Sequence, residues 1–176
     1  SGEMTDAPLK LHDDGAAFIT DCQAKADGDT PPEDFSYFDV QYGAKLVHIY
    51  YDQFRLYYSQ TQADKGIGVI ITLGDAYGFV AGNCYTADIT TSLGEPDKTD
   101  VPHEDDLFFL LGASADISRL TYNFGTYRLD FIMTDDCLAA TVLCDTEIYG
   151  DQERLSNEHW LVQYDMMFGR NYSKLW

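Results

Sequence analysis

Residues 47–58 overlie residues 120–131 without a gap at a constant offset of 73 positions (120 against 47). Val47, Ile49 and Tyr51 alternate with more polar neighbours, Asp52-Gln53 interrupts, and Phe54, Leu56 and Tyr58 resume the alternation. Leu120 and Tyr122, the Gly125-Thr126 turn, and Leu129 and Phe131 repeat that layout. Period-2 patterning on both sides of a two-residue break predicts a β-hairpin, and the residues flanking such a turn pair on one face, so both strands offer their apolar sets to a single core. An apolar strand follows each hairpin, residues 67–73 and then 137–144, and each copy reaches a Tyr-Gly pair, Tyr77-Gly78 and Tyr149-Gly150. The faces expected are Ile67, Val69, Ile71 and Leu73 together in the first strand, and Leu138, Ala140, Val142 and Cys144 together in the second. Periodicity alone does not require Arg55 and Arg128 to coincide, yet they do, and this favours duplication over two merely similar hairpins.

A helix is predicted before each β portion. The first spans residues 15–26, with Asp13 or Asp14 as cap and Phe18, Ile19, Cys22 and Ala26 on one face. The second spans residues 86–93, where Ile89 and Leu93 share a face, Gly94 suits a left-handed stop and Pro96 cannot continue a helix. Residues 35–42 are rich in aromatics and read as a strand or an ordered connection. The fold class expected is therefore α+β, two similar units of a helix followed by antiparallel strands that form one compact or pseudo-two-fold domain. Its parts are a polar lead-in (1–12), a first unit (13–80), a second unit (81–150) and an aromatic C-terminal extension (151–176) packed on the second.

Thirty aspartates and glutamates against eleven lysines and arginines leave a net charge of −19. That disfavours nucleic acid and anionic membranes, since both are bound through clustered cations. No apolar run reaches the roughly 20 residues of a spanning helix, so no transmembrane segment is expected. The start of the chain reads as one whose leader has been removed. Cys22, Cys84, Cys137 and Cys144 have no zinc spacing. Cys137 and Cys144 lie at opposite ends of one predicted strand and are too far apart to bond to each other; a Cys22–Cys84 disulfide stays open, and buried free thiols are the default for a chain with so few cysteines.

Motifs that announce chemistry are missing. Gly66-Ile67-Gly68 lacks the third glycine of a dinucleotide fingerprint and sits in a strand pattern, and no phosphate loop, nucleophile elbow or zincin helix occurs. His103, Glu104 and Asp105 form the best metal or acid–base candidate, because one loop carries imidazole and carboxylates together. Candidate binding residues are Arg55 and Arg128, as equivalent anion contacts, and Trp160, Tyr164 and Trp176 in the aromatic extension. No cofactor is expected.

Leu93-Gly94-Glu95-Pro96, then Leu120-Thr121-Tyr122, residues 127–131 and the strand to Cys144 carry a likeness to known domains. Residues 84–148, and more faintly the first half, resemble the helix-plus-antiparallel-sheet domains of the β-lactamase-inhibitor-protein and SmpA/OmlA type. They are similar also to uncharacterised extracellular lipoprotein domains of Gram-positive bacteria. The resemblance implies a non-catalytic binding domain at the bacterial cell surface or outside the cell, with a protein, peptide or glycan as partner; it carries over no functional residue. The alternative is a small metal-dependent hydrolase built on His103 and its neighbouring carboxylates.

Overall fold

The computed structural model describes residues 2–26, 35–40, 46–101 and 116–149. In chain order the elements are α1 (Gly15–Ala26), β1 (Phe35–Val40), β2 (Leu46–Tyr51), β3 (Phe54–Ser59), a 3-10 segment (Gln60–Lys65) and β4 (Val69–Thr72). They continue with α2 (Thr86–Leu93), β5 (Lys98–Asp100), β6 (Ile117–Phe124), β7 (Tyr127–Thr134), β8 (Cys137–Asp145) and the single turn α3 (Thr146–Tyr149). All eight strands join one antiparallel sheet in the order β1-β2-β3-β4-β8-β7-β6-β5. The architecture is α+β, and the strand order reads alike from either edge. Both hairpins of the repeat form, and the last strands of the two sets pair at the centre. Ile71 lies directly opposite Val142, its own equivalent at the offset of 71 (142 against 71) that relates β4 to β8.

Local chemistry explains the helix ends. Asp14 Oδ1 accepts from the Ala17 amide at 2.9 Å, capping α1. In α2, Asp88 Oδ2 reaches back to the Tyr85 amide at 2.9 Å, half of a capping box, while Gly94 (φ 85°) donates its amide to the Thr90 carbonyl and ends the helix. Asp88→Ala is expected to cost roughly 1 kcal/mol, read as a lowered urea midpoint with unchanged slope.

One face of the sheet meets the helices. Ile49, Leu56, Ile70, Leu143, Leu129 and Tyr122 form a row across six strands, and all belong to the main core. Ile19 of α1 and Ile89 of α2 pack into the same core. Phe131, fully buried, meets Phe79 and Tyr122 edge to face at 5.3 and 5.9 Å.

Two expected faces are corrected. Ile67 joins the helix-side core, whereas Val69 and Ile71 lie in the two rows of the opposite face, because the regular strand begins only after Gly68. Leu138 likewise turns to the helix side, apart from Ala140, Val142 and Cys144. A bulge opposite Ile132 and Met133 inserts Ala139 and shifts the alternation by one residue. All four cysteines are free thiols, so the Cys22–Cys84 disulfide does not form.

Candidate binding surface

On the sheet face away from α1 and α2, one row of directly paired residues crosses all eight strands: Ser36, Tyr50, Arg55, Ile71, Val142, Asp130, Thr121 and Lys98. The neighbouring row carries Tyr57, Val69, Cys144 and Arg128. The structure thus places both sequence-predicted arginines on one face but does not bring them together. Three interstrand steps separate β3 from β7, about 14 Å, too far for one small anion to bridge.

The two arginines have different surroundings. Arg128 donates from Nε to Asp130 Oδ2 at 3.0 Å, and Asp130 Oδ1 accepts from Thr121 Oγ1 at 2.8 Å. Asp130 is 1% exposed, and burial drives its carboxyl above the usual range against the opposing pull of Arg128 and Arg119. Arg119 grips Asp100 with two bonds, at 2.8 and 2.6 Å, and Lys98 adds a third contact at 3.1 Å. In the first copy the position equivalent to Asp130 is Tyr57 (130 − 73), which is fully buried. Arg55 has no ion pair with a carboxylate among the described residues. It instead donates from Nη1 to the Asp52 and Phe54 carbonyls at 2.7 and 2.9 Å and lies 4.5 Å over the Tyr50 ring. Its Nε is buried and unpartnered, and burial lowers the guanidinium from its ordinary value despite Tyr50, Tyr57 and Asp52.

Asp100 gives the surface a pH dependence. Burial draws its carboxyl up, but hydrogen bonds and charge from Arg119 and then Lys98 prevail and hold it below the usual range. A depressed folded-state value adds stability that is present above the unfolded value and lost as pH falls through the folded one. Asp100→Asn is therefore expected to blunt acid destabilisation below about pH 4, seen in urea midpoints taken between about pH 2 and 5.

His103, Glu104, Asp105, Trp160, Tyr164 and Trp176 lie outside the described residues. So does the aromatic extension (151–176).

Sequence reading missed a contact between His12 and Asp145. His12 Nε2 lies 2.6 Å from Asp145 Oδ2, whose other oxygen accepts from the Glu147 amide at 2.9 Å. The histidine is half exposed and the aspartate buried, so the pair ties the N-terminal segment to the end of β8. No local pattern signals a pairing across 133 positions. His12→Ala leaves a buried carboxylate oxygen without this partner and is expected to cost roughly 1–3 kcal/mol in urea unfolding.

The two ends of the sheet differ. β5 is three residues long and bears Lys98, whose side chain is 65% exposed, next to the edge, a common guard against strand pairing. β1 is twice as long and contains neither lysine nor proline, and Ser36 and Tyr37 are exposed. No strand pairs with its outer side among the described residues. Tyr51 and Phe54 flank a two-residue turn and so exchange main-chain bonds with each other, which turns the Tyr50 groups toward Ser36. The main-chain groups of Phe35, Tyr37 and Asp39 consequently point away from the sheet. Tyr37 is held in place by a 3.0 Å bond from Gln23 Nε2 of α1 to its hydroxyl.

No helix among the described residues is long and apolar enough to cross a membrane. No protein-family model matches the chain. No curated protein matches it. Among solved structures, the chain is similar to a DUF4309 family protein (YjgB) from Bacillus subtilis, with 18% identity over 67% of this chain and a TM-score of 0.39. The match spans 66% of that protein's length.

Proposed function

We propose that the chain is a non-catalytic binding domain of the bacterial cell surface or exterior, which takes a protein, peptide or glycan on its sheet. The observation that carries this reading is the contrast between the two sheet edges: a short, lysine-bearing β5 and a longer β1 with outward main-chain groups and no such guard. Arg55, whose Nη1 is held by the Asp52 and Phe54 carbonyls, is proposed as a contact for an anionic group of the ligand. Arg128, Trp160, Tyr164 and Trp176 are proposed as further contacts. Fractionating cells that express the full-length protein tests the reading. Recovery from the surface or the medium supports it, whereas cytosolic recovery, or metal-dependent hydrolysis abolished by His103→Ala, overturns it.

A further inference from the structure

We draw no further inference here: the strongest candidate, the open cleft between the N-terminal segment and Tyr77 that Glu3, Asp6 and Asp13 line, rests on a cluster of carboxylates with no second observation that points to a ligand.

Discussion

Asp130→Ala is expected to destabilise the fold by about 3–5 kcal/mol, because it leaves the Arg128 guanidinium largely buried with its carboxylate gone and Thr121 Oγ1 without its acceptor. Equilibrium urea unfolding measures it. Asp130→Asn is the informative companion, since it keeps a hydrogen-bonding side chain and removes only the charge. Burial raises the Asp130 carboxyl, so the folded state holds its proton to higher pH than the unfolded state does. This contribution therefore favours folding below the unfolded value and is lost as pH rises through the folded one, the reverse of Asp100. The asparagine variant should lose less stability than the alanine one. Equal losses would show that the ionic pairing with Arg128 dominates and that the cost of burying the carboxylate is minor.

Gly66→Ala is expected to cost about 3 kcal/mol through backbone strain together with a collision at a main-chain junction. Gly66 sits at φ 71° and ψ −156°, a region almost confined to glycine, and an added Cβ would lie 2.4 Å from the His12 carbonyl oxygen and 2.5 Å from that of Asp13. Those carbonyls cannot simply yield. Asp13 accepts from the Ile67 amide and the His12 amide donates to the Ile67 carbonyl, so moving either residue loosens the strap that holds the N-terminal segment on the sheet. Hydrogen exchange should accordingly show lost protection at His12 and Ile67 before the central strands open. Gly125→Ala serves as the control: φ is 68° but nothing lies within 4 Å, so only the conformational penalty of about 1 kcal/mol remains. A Gly66 variant no less stable than the Gly125 variant would refute the junction.

The hairpins and both helices were legible because each is written in local periodicity and punctuation. Phe54, Leu56 and Tyr58 sit two apart and face the core, and the turn between β6 and β7 opens on Gly125 at positive φ. The errors came where one residue changes the count. Ala139 adds a residue opposite Ile132 and Met133, and an alternating pattern has no means of announcing that its phase slips there. Arg55 and Arg128 were found because they recur at the same place in the repeat. Their different surroundings depend on what Tyr57 and Asp130 became in the two copies, which follows from the alignment only once the sheet register is known. His12 and Asp145 meet through tertiary closure, and neither has neighbours that mark it.

The seam between β4 and β8 has one further consequence. Ile71 faces Val142, its equivalent in the other half, so the two inner strands meet as identical subunits meet across a two-fold axis. The strand order is thus two-fold about this seam, and the two halves are joined covalently, so neither is ever diluted away from the other. The two outer edges, β1 and β5, occupy corresponding places in that order, so a guard on one leaves both the other edge and the central joint untouched.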